Sequence, residues 1–265
     1  TTGCSNLDLT AGSTGITLNG GSYNTSGTQI YRSPVTLGTT TTLTSTNQTI
    51  TFSSTINGAK GLTINSGTGA ITFNGAIGGT TPPTFFNVDS STTAINFNAS
   101  PVTTTGAQTF GSPALLGTNL SFTTTNSPVT FSTTVDGSAA GRNFTIAAGN
   151  GSILVGGVIG STANAMAAIT LTGNGGVTLN GVGTGAATTG ALSVTSTAGI
   201  LLNQGTYNAL SHQYVGSISL GADTTVTSAT NNNILFNGTI DGDTMARNLT
   251  VTTGAVGSTG TITVN

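Results

Sequence analysis

The chain copies itself. The run Val35-Thr36-Leu37-Gly38 … Leu43 … Ile50-Thr51-Phe52 … Ile56-Asn57-Gly58 returns as Leu116-Gly117 … Phe122 … Val129-Thr130-Phe131 … Val135-Asp136-Gly137. It returns again as Ile218-Ser219-Leu220-Gly221 … Val226 … Ile234-Leu235-Phe236 … Ile240-Asp241-Gly242. Gly38, Gly117 and Gly221 set the register, 79 and then 104 residues apart (117 − 38; 221 − 117). Self-similarity on this scale marks stacked units, each of which needs its neighbours to bury its apolar side. On this basis 1–265 reads as one continuous segment, with copies at about 29–107 and 108–212 and a partial third at 213–265.

Within each copy the local unit is apolar–small polar–apolar, as in Ile16-Thr17-Leu18, Leu62-Thr63-Ile64, Ile71-Thr72-Phe73 and Phe144-Thr145-Ile146. Period-two alternation of β-branched and aromatic residues puts both large side chains on one face of a short strand. Nothing shows the 3.6-residue period of a helix, and glycine recurs too often for one. Many strand starts fall in pairs nine apart (Leu7 to Ile16, Leu62 to Ile71, Phe144 to Ile153) or eight apart (Ile169 to Val177, Leu192 to Ile200). Asn19-Gly20, Asn74-Gly75, Asn180-Gly181 and Asn237-Gly238 follow second strands, where a left-handed corner residue is needed. A hairpin would set Asn-Gly between two strands in a two-residue loop. Here the links are longer.

The expected fold is therefore all-β: a parallel β-solenoid (β-helix) of short strands, right-handed because parallel crossovers prefer that hand. A β-sandwich is the alternative. The second spacing between copies is the longer one, and its surplus looks like an added strand pair, Leu192/Ile200. A stack absorbs such a pair more easily than a sandwich does. At roughly 20–25 residues per coil the chain holds about a dozen coils, a rod on the order of 55–60 Å long. The core candidates are the first and third residues of each triplet, with Leu43, Ile56, Phe122, Val135, Val226 and Ile240. Ala147, Ala167 and Ala168 are assigned to narrow interior positions.

Composition narrows the partners. Only 4% of residues are charged, and the net charge is −2. Arg32, Lys60, Arg142 and Arg247 are too few to track phosphates or an anionic bilayer, so neither nucleic acid nor membrane insertion is expected. No apolar run is long enough to span a bilayer, and Thr1-Thr2-Gly3-Cys4 has no signal-peptide pattern. Cys4 is the only cysteine, which rules out a disulfide framework within the chain. A Thr/Ser/Asn/Gly-rich composition, almost without Lys and without Glu, points to an extracellular setting.

Three cations share one repeat position: Lys60, Arg142 and Arg247 each stand two residues before a strand, after Asn57, Asp136 and Asp241. The expectation is a structural loop clamp, Asp136 to Arg142 and Asp241 to Arg247, weak as exposed pairs are. Asp241 and Asp243 could donate to calcium, but the full loop patterns are absent and a plain turn is favoured. Six scattered aspartates offer only weak pairs for glycoside chemistry. His212 has no nucleophile motif nearby and is assigned to a surface or loop. No catalytic residue, cofactor or metal is expected. Asn-x-Ser/Thr triplets at Asn24, Asn47, Asn119, Asn143 and Asn237 are no more than this composition supplies by chance.

The combination Thr104-Thr105-Gly106-Ala107-Gln108-Thr109-Phe110 … Leu116-Gly117 … Val129-Thr130-Phe131 … Val135-Asp136-Gly137 … Phe144-Thr145-Ile146 … Ile153 resembles a bacterial group, with echoes at Gln29-Ile30-Tyr31 and Gln213-Tyr214. The group is the very large secreted β-strand-repeat proteins, similar to filamentous-haemagglutinin-like and autotransporter-type adhesins. The resemblance implies a right-handed β-helical fibre, export from the cell, and a role in adhesion, biofilm or surface coating. The expected function is a non-catalytic structural segment of such a fibre. Its expected partners are copies of itself or neighbouring repeats, stacked end to end or bundled laterally, and surface glycans. The closing triplet Ile262-Thr263-Val264 adds the expectation that the stack continues. The alternatives are a carbohydrate-binding module using exposed Tyr23, Tyr31, Tyr207 or Tyr214, or a polysaccharide-degrading β-helix enzyme.

Overall fold

The computed structural model describes residues 4–89, 91–184, 190–229, 231–254 and 257–265. Among them every regular element is a strand, and the strands stack in parallel as a β-solenoid. Each coil has three faces. The chain lays Leu7–Leu9 on the first, Ile16–Leu18 on the second and Ser22–Thr25 on the third, then returns to the first with Gln29–Tyr31. The third face is one unbroken 11-stranded sheet ending at Ile240–Gly242. The first and second faces are each two sheets joined by single bridges, through Ile159 and Val182 on the first and Ile77 on the second. Two strands of a further coil follow, Leu249–Thr253 and Ile262–Val264. Coils differ in length: the turn from Ile200 to its partner Ile218 is short, and that from Ile234 to Ile262 is much longer.

Alternation decides the interior. In Ile50–Phe52, Ile71–Phe73, Ile95–Phe97 and Val129–Phe131 the outer two residues are buried and the middle one is partly exposed. Because the strands pair in register, like stacks on like. Tyr31, Phe52, Phe73 and Phe97 form a column on the first face, with successive ring centroids 4.7, 5.5 and 5.3 Å apart and rings within 18° of parallel. Phe97 meets Phe110 of the third face edge-on, at 5.3 Å and 84°. Offset-stacked and edge-to-face pairs are the favoured aromatic geometries, adding about 0.5–1.5 kcal/mol each beyond burial.

The corners are closed by side-chain amides. Asn47, Asn126 and Asn231 hold equivalent positions in the copies, all in the left-handed region (φ 59°, 57° and 65°). Asparagine tolerates this conformation better than most residues. Each Oδ1 accepts an amide from the next coil, from Thr68 at 3.0 Å, Asn150 at 2.9 Å and Thr259 at 2.9 Å. The Asn-Gly sites are corners too. Asn98 donates to Asn74 at 2.8 Å, and Asn203 to Asn180 at 3.0 Å, one coil apart in each case.

The repeat and the coil run out of phase. The strand before Gly38 lies on the second face, that before Gly117 on the first, and that before Gly221 on the third. The step from Gly38 to Gly117 climbs three coils and two faces; the step from Gly117 to Gly221 climbs four coils and two faces. Each copy is thus rotated by one face from the last. The extra length of the second step amounts to one whole coil, containing Val182, Leu192–Thr195 and Ile200–Leu202. The expected strand pair is part of it, with Val182 as its first-face member.

The core matches the triplet pattern except near the two ends. Leu7, Leu9, Ile240, Leu249 and Val251 are only partly buried, and Ile262 and Val264 are exposed, because the end coils have a neighbour on one side only. Ala147, Ala167 and Ala168 are not interior residues; Ala148 and Ala114 are. The interior also contains polar side chains that the triplets do not announce: Gln29, Gln108 and His212.

Candidate functional site

Gln29, Gln108 and His212 occupy one repeat position on three different faces. Each sits where the chain has just turned a corner, and each side chain reaches into the stack to hold that corner. Gln29 Nε2 donates to the carbonyls of Tyr23 (3.0 Å) and Thr44 (2.8 Å) and to Thr25 Oγ1 (3.3 Å). Gln108 Nε2 repeats this on Val102 O (3.1 Å), Thr123 O (3.0 Å) and Thr104 Oγ1 (3.2 Å). In the third copy His212 Nε2 lies 2.9 Å from Thr227 O, the equivalent of Thr44 and Thr123. The donor end of the side chain is satisfied in such a cage and ties two coils together. The third copy, counted from this residue, begins at 212.

The acceptor end of each plug depends on the residue two positions on. Tyr31 Oη donates to Gln29 Oε1 at 2.8 Å, and Tyr214 Oη lies 3.1 Å from His212 Nδ1. In the second copy that residue is Phe110, and Gln108 Oε1, fully buried, has no partner. An unpaired buried acceptor costs about 1–3 kcal/mol. Phe110→Tyr is expected to stabilise the chain by about 1 kcal/mol, and Tyr31→Phe to destabilise it by about as much, in denaturant midpoints. A destabilising Phe110→Tyr would mean that the ring cluster of Phe86, Phe97, Phe122 and Phe131 leaves the hydroxyl no room.

His212 is therefore a core residue and not a surface one, only 3% exposed. Burial pushes its pKa down to about 4, partly opposed by the bond to Thr227 O. Tyr31, Tyr207 and Tyr214 are also fully buried, so three of the four tyrosines of the carbohydrate-binding alternative cannot act as stacking platforms; Tyr23 is partly buried. Desolvation pushes the hydroxyl pKa values of the three buried tyrosines up.

The expected loop clamps do not form. Asp136 is 4% exposed and turns to the coil above. It accepts the amides of Ser161 (2.6 Å) and Thr162 (3.1 Å) and the Ser161 hydroxyl (2.7 Å). Asn57 does the same for Thr80 and Thr81, so the position caps the next coil, whether as amide or acid. Exchanging Asp136 and Arg142 would set a donor where three donors point, so it would not be the neutral change a clamp implies. Arg142 instead lies half-buried, its stem beside Gly137 and its Nε without a partner. Arg247 pairs with Asp243, not Asp241, at 2.8 and 3.1 Å. That bond holds the Asp243 pKa low and closes a turn. Asp241 lies on the last third-face strand among the described residues, and lines a shallow groove of about 400 Å³ with Thr178, Leu201 and Ser219. The spacing rule missed Asp8–Arg32, a two-pronged pair at 2.7 and 2.8 Å linking the first two coils. Half-exposed, it contributes little.

Several sequon asparagines are committed to the ladder: Asn47 accepts from Thr68, Asn119 from Asn143, and Asn143 from Ala168. Cys4 is exposed and free. Among the described residues no three His, Cys, Asp or Glu side chains gather as a metal site, and no helix is long and apolar enough to cross a membrane.

These features define a β-solenoid repeat protein. The chain matches no protein-family model, no curated protein and no solved structure.

Proposed function

We propose that this chain is a structural, non-catalytic segment of an extracellular bacterial surface fibre or adhesin, in which the unbroken stack itself is the working part. One observation carries the reading. What the copies hold in common is interior or at corners: the Gln/His plug, the left-handed asparagine and the apolar triplets. Outward residues at equivalent positions are less uniform: Thr36, Leu115 and Ser219 differ at the centres of equivalent strands, while Thr44, Thr123 and Thr227 are alike. Rotation by one face per copy also scatters equivalent surface points around the rod. A repeated binding site would gain from facing one way; a repeated internal brace is indifferent to direction. Low charge removes the repulsion that keeps rods apart, which favours self-association end to end or side by side.

Electron microscopy of the native material is the test. Long uniform filaments, with a fibre-diffraction repeat of about 4.8 Å along the axis, are the expected result. Discrete short particles at every concentration and on the cell surface would overturn the reading. The glycan-binding alternative loses its three buried tyrosines and retains the groove beside Asp241.

A further inference from the structure

The three plugs do the same mechanical work, but only one of them can change charge. We propose that the His212 corner is an acid-sensitive joint, at which the rod loosens first when the surroundings become mildly acidic. The inference does not depend on the fibre reading, since it concerns one rod on its own.

The geometry carries it. His212 lies between Leu192 on the coil before and Ile234 on the coil after, in register with both. Its ring stacks on Tyr214 at 5.8 Å and 21°. Both ring nitrogens are engaged in a way that suits one neutral tautomer: Nε2–H donates to Thr227 O, and Nδ1 accepts from the Tyr214 hydroxyl. A second proton would fall on Nδ1, against a hydroxyl that now donates to it. The groups around the ring are uncharged: Leu192 on the strand before, Ile234 on the strand after, Thr227 across the corner, and Tyr214, which Tyr207 approaches. The only titratable ones, Tyr207 and Tyr214, are neutral throughout the acid range, their pKa values being raised. No carboxylate is there to receive an imidazolium, and a buried charge without a partner is strongly disfavoured.

The direction of the pH effect follows from the lowered pKa of about 4 in the folded chain, against 6.5 for a free histidine. The opened corner binds the proton first. The joint is at full strength above about pH 6.5, weakens as the pH falls towards 4, and loses nothing further below that. Relative to pH 7, opening should be favoured roughly twentyfold at pH 5. The aspartates with lowered pKa values, Asp8, Asp223 and Asp243, are ordinarily at 3.8 and titrate below this window.

His212→Gln supplies the control, because the other two corners already accommodate glutamine with the same carbonyl partner. Hydrogen exchange of the 214 and 215 amides is compared between wild type and His212→Gln at matched pH, so the intrinsic chemistry of exchange, set by a residue and the one before it, cancels. The wild-type/variant ratio is expected to rise roughly twentyfold from pH 7 to pH 5, with the Gln29 and Gln108 corners unchanged. A flat ratio would overturn the proposal. The chain has a single histidine, so its NMR titration decides the matter even if the variant folds poorly. A midpoint near that of a free histidine with the fold intact would sink the idea, and one near 4 would support it.

Discussion

Excising residues 182–206 leaves a folded solenoid one coil shorter. Val182 and Tyr207 are direct partners on the first face, so joining Gly181 to Tyr207 brings the chain back to the same point of the cross-section. Ile169 then takes His212 as its neighbour in place of Leu192, and Val177 takes Ile218 in place of Ile200. The rod shortens by about 4.8 Å, and each remaining coil keeps a neighbour of its own kind. The expected observation is an unchanged circular-dichroism spectrum per residue and a melting temperature within a few degrees of wild type, roughly what a 1 kcal/mol change would give. Deleting 182–193 alone is the contrast. It removes part of a turn, shifts every later strand off its face, and should yield a protease-sensitive C-terminal portion. If both deletions behave alike, coils are not the modular unit.

The second large effect is expected at the aromatic column. Phe97 is fully buried, stacked on Phe73 at 5.3 Å and edge-on to Phe110 and Phe122 at 5.3 and 5.2 Å. Phe97→Ala removes a member common to three ring contacts in a narrow interior that cannot collapse without breaking sheet register. A loss of about 3–5 kcal/mol is expected, as for other buried Phe→Ala changes. Val264→Ala, on the end coil and 62% exposed, should change stability by less than about 0.5 kcal/mol. A one-dimensional stack transmits such damage to adjacent coils first. Denaturant midpoints should therefore fall together with local protection around residues 73–122. Comparable small effects from both substitutions would show that the column is not what holds the middle of the rod.

The triplets made the fold legible. Short alternating strands, corner asparagines and a whole-coil insertion all follow from local pattern, because period-two burial is a property of neighbouring residues. The corner plugs were not legible. Gln29, Gln108 and His212 look like outliers at the first position of a triplet, and only the carbonyls that hold them, from residues six before and fifteen after for the glutamines and fifteen after for the histidine, show why a polar side chain belongs there. Asp136 and Arg142 misled for the same reason. Spacing suggested a partner across one corner, whereas Asp136 found amides about one coil on, at Ser161 and Thr162.

By itself the sequence determined that the chain is a stack: its copies and its alternation admit little else once strands are short and links are long. Only the tertiary structure decided that a coil has three sides, that each copy is turned by one side from the last, and which polar groups lie inside. The physical reason is that alternation encodes in and out for each strand but carries no angle between strands. The angle comes from corners closed by hydrogen bonds between residues about a coil apart, and those partners exist only once the chain has wound around.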